Sequence, residues 1–298
     1  MHILIAANPR SGRGQGQKLL VESRGALTAA GHQVDTVVSQ FDGHLLRVLP
    51  QRLQQQWDVV VALGGDGTLF QVINCCMQQP NFGATVGLIP AGTGNSFSKE
   101  FQQQSRKPWN RILAGKPTRL DLIRCRSEQA IPVYGYEFFF LTATGFGFVS
   151  NATVAARRYK QLGVAAYAAG VLRTLIKFDI GSFELELDGH RFNSEAVFLI
   201  VANSRYIGGN MLVSPRASLI DGRLEVLLLR GVDRWEFLKS FPKVFNGAHL
   251  DHPSFEVWQG THLRLDAEPP QIATPDGEVI GQTPLEFEVL PQRLQFIL

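Results

Sequence analysis

Val59-Val60-Val61-Ala62-Leu63-Gly64-Gly65-Asp66-Gly67-Thr68 is the stretch on which the reading of this chain turns. Val59 to Leu63 is continuously apolar, without polar alternation, as expected of a parallel strand covered on both faces. Three glycines, an acid and a hydroxyl residue follow at once, and Leu69 to Gln79 then reads as a helix. Glycines let backbone N–H groups approach an anion with no Cβ in the way and permit positive φ. Thr68 is placed to cap the helix, whose N-terminus favours negative charge. Asp66 would repel a phosphate, so its position makes sense if a divalent cation bridges it to one.

Working outward, the same grammar recurs through the first hundred residues. Ile3 to Ala7 is a buried strand, followed by the loop Asn8-Pro9-Arg10-Ser11-Gly12 and a helical segment from Gln15 to Ala30. His32 to Ser39 is a second strand, and Val86 to Pro90 precedes a third glycine loop, Gly92-Thr93-Gly94-Asn95-Ser96. Strands separated by helices imply βαβ units and a doubly wound sheet, which collects ligands at the carboxyl ends of its strands. One such loop would be an ordinary strand-to-helix turn. Three on one sheet edge, with an acid and several hydroxyls, point to a phosphate site. No Gly-Lys-Ser/Thr follows Gly12 to Gln17 as a P-loop requires. Gly92-Thr93-Gly94 lacks the third glycine of a dinucleotide fingerprint, and no Gly-x-Ser-x-Gly elbow exists for a serine hydrolase.

After Asp121 the pattern becomes alternating strands: Phe183 to Leu187, Arg191 to Ala202, Arg223 to Leu229, Thr261 to Ala267 and Leu285 to Leu290. Asp188-Gly189 is a two-residue hairpin signal between the first two. Helical stretches interrupt at Ala152 to Lys177 and Asp233 to Asn246. The expected division is an α/β domain up to about Asp121 and an antiparallel β domain after it. Asp276-Gly277-Glu278 reads as a hairpin-like turn able to present two carboxylates; an ordinary Asp-Gly turn is the plainer alternative. Phe138, Phe139, Phe140, Phe146 and Phe148 could line an acyl pocket, although aromatics in a β domain more often form core. Arg157, Arg158, Lys160, Arg173 and Lys177 could make a basic membrane-facing side.

The bulk numbers narrow the class. The 298 residues are 45% hydrophobic and 18% charged with a net charge of +3, ordinary globular composition that mildly favours anionic partners. Cys75, Cys76 and Cys125 have no metal-ligand spacing and fit a reducing compartment. No uninterrupted apolar run reaches the roughly 20 residues a membrane span needs, and the N-terminus has no leader pattern. A cytoplasmic protein is expected, with no nucleic-acid partner.

These motifs together resemble the diacylglycerol kinase catalytic-domain superfamily of lipid kinases, which includes bacterial diacylglycerol kinases and the sphingosine and ceramide kinases. Asn8 to Gly12, Gly64 to Thr68 and Gly92 to Asn95 are similar to its Asn-Pro-x-Ser-Gly, Gly-Gly-Asp-Gly-Thr and Gly-Thr-x-Asn. Thr144 to Gly147, Arg157 to Tyr167, Gly208 to Asn210, Pro215 to Ala217, Asp221 to Leu224 and Asp276 to Glu278 follow in the family's order.

The resemblance implies a nucleotide domain over residues 1–121 joined by a returning strand near 291–298, a C-terminal β-sandwich over 122–290, and a cleft between them. ATP would meet Asn8, Pro9, Arg10, Ser11, Gly12, Ser39, Gly64, Gly65, Asp66, Gly67, Thr68, Gly92, Thr93 and Asn95, with Mg²⁺ near Asp66. Asp276 or Glu278 would accept the proton of the lipid hydroxyl. A structural metal would map to the Asp221 side chain with the carbonyls of Ser218 and Arg223. The implied activity is ATP- and Mg²⁺-dependent phosphorylation of a membrane lipid, diacylglycerol first, by an enzyme that visits the membrane surface. The oligomeric state stays open, a homodimer included. A sphingoid or ceramide kinase, an NAD kinase and a silent lipid- or nucleotide-binding regulator are the alternatives. Where the family often has Asn-Glu after its glycine loop this chain has Phe70-Gln71, and Ser96 replaces an acid. The acidic network near the nucleotide metal thereby reduces to Asp66, with Asp121 as the remaining candidate.

Overall fold

The computed structural model describes residues 1–101, 107–157, 173–175 and 179–297. The chain divides into two compact units, Met1–Leu120 with Gln292–Leu298, and Asp121–Pro291.

In the first unit the strands are β1 (His2–Ala7), β2 (Gln33–Val38), β3 (Val59–Gly64) and β4 (Thr85–Pro90). The helices are α1 (Gln15–Ala29), α2 (His44–Arg52), α3 (Asp66–Met77) and α4 (Trp109–Ala114). The strands lie side by side in the order β2-β1-β3-β4, all parallel, with Ile5 opposite both Thr36 and Val61, and Val61 opposite Gly87. Every residue of β3 is buried, which is why its sequence shows no alternation. Ile3, Ile5, Val59, Val61 and Leu63 share a core with Leu20 and Leu27 of α1 and Trp109 and Ile112 of α4. Their neighbours on the other face, Leu4, Ala6, Val60 and Ala62, are equally sealed. The C-terminal end of the chain completes the sheet: Phe296 stands opposite Val86 in a parallel pairing, and its ring meets Phe97 edge-on at 5.1 Å.

The second unit contains β5 (Pro117–Ile131, entering from the first), β6 (Gly135–Phe140), β7 (Ala143–Gly147), α5 (Phe148–Arg157), β8 (Gly181–Leu187), β9 (His190–Ala196) and β10 (Phe198–Ala202). The short pair β11 (Tyr206–Ile207) and β12 (Met211–Leu212) follows, then β13 (Leu224–Leu229), α6 (Arg234–Ser240), β14 (Phe255–Gly260), β15 (His262–Glu268) and β16 (Leu285–Ile297). One sheet includes β16-β15-β8-β9; the other runs β14-β13-β10-β7, antiparallel throughout. Asp188-Gly189 closes β8 to β9 with both residues at positive φ, as a type I′ hairpin requires. The phenylalanines at 138, 139, 140, 146 and 148 are all buried, so they serve as core; Phe140 and Phe146 both pack edge-on against Phe287.

Several expected elements change shape. Arg191 to Ala202 is two strands, because Val197 turns away to donate its N–H to Leu229 and the chain passes from one sheet to the other. Asp233 to Asn246 is α-helical only through Ser240; Pro242, which lacks an N–H, sits in a following 3₁₀ turn over Phe241–Phe245. Of the helical stretch from Ala152 to Lys177, α5 accounts for the start, and residues 158–172 and 176–178 lie outside the described residues. Among the described residues no helix is long and apolar enough to cross a membrane.

Phe296 carries a direct test of how far the C-terminal strand belongs to the first unit. Phe296→Ala should destabilise the protein by about 3–5 kcal/mol, the usual penalty for emptying a sealed phenylalanine site. Urea unfolding followed by circular dichroism measures it, and a loss below about 1 kcal/mol would show the strand to be dispensable.

Candidate active site

The first unit brings the sequence-named loops together at the carboxyl ends of β1, β3 and β4. Asn8 N–H donates to Leu63 O at 2.8 Å, and Asn8 Oδ1 accepts from Arg10 N–H at 3.1 Å, so the asparagine folds its own turn. Gly12, at φ +58°, passes so close to the third loop that an added Cβ would lie 2.1 Å from Ala91 O. An added Cβ on Gly92 would fall 2.6 Å from Gly65 Cα, and one on Gly64 would fall on the Thr68 side chain. Asn95, at φ +50°, accepts from Gly92 N–H at 3.0 Å and donates back to Gly92 O at 2.7 Å. Ser39 N–H donates to Ala7 O, which sets it at the neighbouring strand end, but its hydroxyl donates to Phe41 O. The Arg10 and Thr93 side chains are exposed.

Two expectations about this loop are corrected. Thr68 does not cap α3: the helix begins at Asp66 with Gly65 as its cap residue, and Thr68 is sealed inside the first turn beneath Gly64. Asp66 is also not held by glycines alone. Its two oxygens accept from Ser96 N–H at 2.8 Å and Phe97 N–H at 3.2 Å, stapling the second loop to the third. Burial pushes the Asp66 carboxyl up from its ordinary value, against these two donors. A desolvated, half-buried carboxylate in that state gains from a cation, and a first helical turn is favourable ground for its charge.

In the second unit, Asp276 sits at φ +49° in a one-turn 3₁₀ segment, Pro275–Gly277. That segment lies within a longer excursion closed by the bridge of Ile272 to Gln282, so Asp276 to Glu278 is not a tight hairpin. Its two acids part company. Asp276 accepts from Leu141 N–H at 3.3 Å, Thr142 N–H at 2.8 Å and the Thr142 hydroxyl. Glu278 pairs with Arg157 at 2.6 Å, which engages that arginine otherwise than in the expected basic face; Arg158, Lys160 and Lys177 lie outside the described residues. Thr274 anchors the excursion, donating its N–H to Thr144 Oγ1 and its hydroxyl to Gly145 O, both at 3.1 Å.

Sequence reasoning missed Thr142 and Asn203. Asn203, fully buried, donates its amide to Leu141 O at 3.0 Å and to Asp121 O at 3.2 Å, while its N–H reaches Thr142 O at 2.8 Å. Asp121 in turn accepts from Gly222 N–H at 2.6 Å. A chain of hydrogen bonds thus runs from Asp276 through Leu141–Thr142, Asn203 and Asp121 to the loop of Ser218, Asp221 and Arg223. Within that loop Asp221 accepts from Arg223 N–H at 3.1 Å and Ser218 Oγ from Ile220 N–H at 3.4 Å. Desolvation raises the Asp221 carboxyl above its ordinary value, and the Asp121 and Glu225 charges add to it despite the Arg223 N–H. Among the described residues no three His, Cys, Asp or Glu side chains converge as a metal cluster. A cation there would depend on one carboxylate and backbone carbonyls, for which the concentration of negative charge is suitable.

Residues 2–125 match the diacylglycerol kinase catalytic domain family, and residues 142–298 match the YegS C-terminal NAD kinase beta sandwich-like domain family. The chain is 23% identical to a diacylglycerol kinase of Bacillus subtilis (strain 168), covering 99% of this chain and 95% of that protein. It is 28% identical to a diacylglycerol kinase of Mycobacterium tuberculosis, covering 99% and 94%. A crystal structure from Bacillus anthracis str. Sterne, provisionally named a diacylglycerol kinase, shares the fold with a TM-score of 0.81 at 20% identity, covering 99% of this chain and 94% of that one. Yeast NADH kinase is more remote, with a TM-score of 0.54 at 11% identity over 99% of this chain and 82% of that one.

Gly92→Ala should weaken ATP binding at least tenfold in calorimetry, because backbone faces the new methyl and must move. Unchanged affinity would separate the loop contact from the nucleotide. For Asp66 the sign follows from linkage: a carboxyl raised in the folded state stabilises below its unfolded value and loses that contribution as pH rises through the folded one. From about pH 4 upward, wild type should therefore lose stability relative to Asp66→Asn. Urea midpoints across pH measure this, and a pH-independent difference would refute it.

Proposed function

Because the chain belongs to the lipid kinases that join a diacylglycerol kinase catalytic domain to a YegS-type C-terminal domain, we propose that it transfers the γ-phosphate of ATP to diacylglycerol, giving phosphatidic acid. The observation that carries the nucleotide half is the meeting of Gly12, Gly64–Gly65 and Gly92 at adjacent parallel strand ends, where Gly12 and Gly92 closely approach the backbone of Ala91 and Gly65. Phosphates need such N–H-rich ground, free of Cβ atoms. Asp66 would hold Mg²⁺, which when bound neutralises charge on the β- and γ-phosphates.

Asp276 is the base in this reading, and Glu278, engaged with Arg157, is its neighbour rather than its rival. The three donors on Asp276 fix one carboxylate orientation, and its φ of +49° is the kind of backbone tension that gathers at functional sites. As the lipid oxygen bonds to the γ-phosphorus, the bond from that phosphorus to the β–γ bridging oxygen breaks. ADP departs, and the hydroxyl proton passes to Asp276. Phosphoryl transfer asks little more than positioning, charge and this one acceptor.

The test is transfer of labelled γ-phosphate from ATP with Mg²⁺ to a panel in mixed micelles: diacylglycerol, monoacylglycerol, phosphatidylglycerol, ceramide, sphingosine, a polyprenol and, in solution, NAD. Labelled phosphatidic acid is expected, reduced by about 10²–10⁴-fold in Asp276→Asn, the range of a lost general base. A different labelled lipid would replace the acceptor, labelled NAD would replace the reading, and nucleotide binding without any product would make the protein a regulator.

A further inference from the structure

The segment from Arg234 to Phe245 shows two chemically opposite sides. Phe237, Phe241 and Val244, spaced i, i+4 and i+7, pack into the core of the second unit. There they close an apolar cavity of about 50 Å³ with Phe148, Phe198 and Phe255. Trp235, Lys239, Pro242 and Lys243, spaced i, i+4, i+7 and i+8, are all exposed. Trp235 is 67% exposed, and Phe245, at the end of the segment, is 53% exposed. Single exposed apolar residues need no explanation, but here two exposed aromatics flank Lys239 and Lys243, with Arg234 next to the first of them, on one short element.

The charges on this element are also one-sided in what they are free to do. Asp233 is occupied as the cap of α6, accepting from Trp235 N–H at 2.7 Å and Glu236 N–H at 2.9 Å. Glu236 pairs with His252 at 3.0 Å. Arg234, Lys239 and Lys243 form no salt bridge among the described residues. The inner, apolar side is taken up by the protein's own core, so the outer side meets solvent with tryptophan and phenylalanine beside lysine and arginine, the residue types that attach a protein to a bilayer interface. The aromatics enter the headgroup layer and the cations meet lipid phosphates.

We propose that Arg234–Phe245 is the surface by which this protein docks on an anionic lipid bilayer, with Trp235 and Phe245 inserted and Arg234, Lys239 and Lys243 facing lipid phosphates. The choice of occupant rests on the lipid kinase reading, whose acceptor resides in a membrane, and on the match between these cations and an anionic surface. Basic residues near such a surface each strengthen attachment about fivefold, an effect that salt screens.

The experiment uses the full chain with vesicles of phosphatidylcholine alone or mixed with phosphatidylglycerol. Trp57 and Trp109 are buried, and Trp258 is half-buried against Phe192, so the part of a blue shift in tryptophan emission on adding mixed vesicles that Trp235→Phe removes reports Trp235 leaving water, and that part should be most of the shift. Lys239→Gln and Lys243→Gln should each weaken sedimentation with mixed vesicles about fivefold, and Trp235→Ser with Phe245→Ser should weaken it further. Because these positions are exposed, thermal unfolding should match wild type. Sedimentation of all variants like wild type, binding indifferent to phosphatidylglycerol, or no vesicle binding would each overturn the proposal. Failure of micellar turnover would instead count against the kinase reading, so the two outcomes are separable.

Discussion

An added Cβ on Gly92 would lie 2.6 Å from Gly65 Cα, and the first unit's loops are arranged around that contact. Two strand ends can sit so close only if both residues lack side chains. Once they do, Asp66 comes within reach of Ser96 and Phe97, and the start of α3 is tied to the loop after β4. Gly12 adds the loop after β1 by the same device, approaching Ala91 O. The three loops therefore behave as one backbone surface. A methyl at any of these glycines would push against main chain, which cannot yield as a flexible side chain can.

The second unit solves the corresponding problem with a side chain. Asn203 is buried where β10 ends, and its amide donates to carbonyls from two other segments, those of Leu141 and Asp121. Leu141 and Thr142 supply the N–H groups that hold Asp276, and Asp121 receives Gly222 from the Asp221 loop. Asn203 is thus a positioning residue in the proposed mechanism: it touches neither acid's carboxylate, yet it sets the backbone that orients the proposed base. Leaving those carbonyls unpaired in a sealed site would cost about 1–3 kcal/mol, and the geometry at Asp276 would be the first casualty.

How much of this was legible depended on whether the cause was local. Val59 to Thr68 declares its strand, loop and helix because burial on both faces and glycine content are written in consecutive residues. The division into an α/β part and an antiparallel β part is likewise a change of period. Val197 could not be read, since a strand that changes sheets keeps the same alternation and the deciding hydrogen bond goes to Leu229, far along the chain. Asn203 carries no signal either, being one asparagine whose partners lie 62 and 82 residues away. Thr68 misled for the opposite reason: a threonine before a helix is a good cap in isolation, but a glycine neighbour left space for it to pack inward.

Charge explains why Asp66 persists in a site where Gln71 and Ser96 have replaced expected acids. A lone buried carboxylate is unfavourable, and its two N–H donors offset the desolvation only in part, as the raised proton affinity shows. In a cluster of several acids a cation would be bound tightly through sheer charge; in the proposed kinase, with one principal carboxylate, the nucleotide's own phosphates would contribute more of the ligand field. Metal and ATP should then bind as a single complex rather than in sequence. In the proposed kinase the loop geometry would suit that order, because its glycines leave room for phosphate to approach while, among the described residues, Asp66 is the carboxylate tied to both the second and third loops.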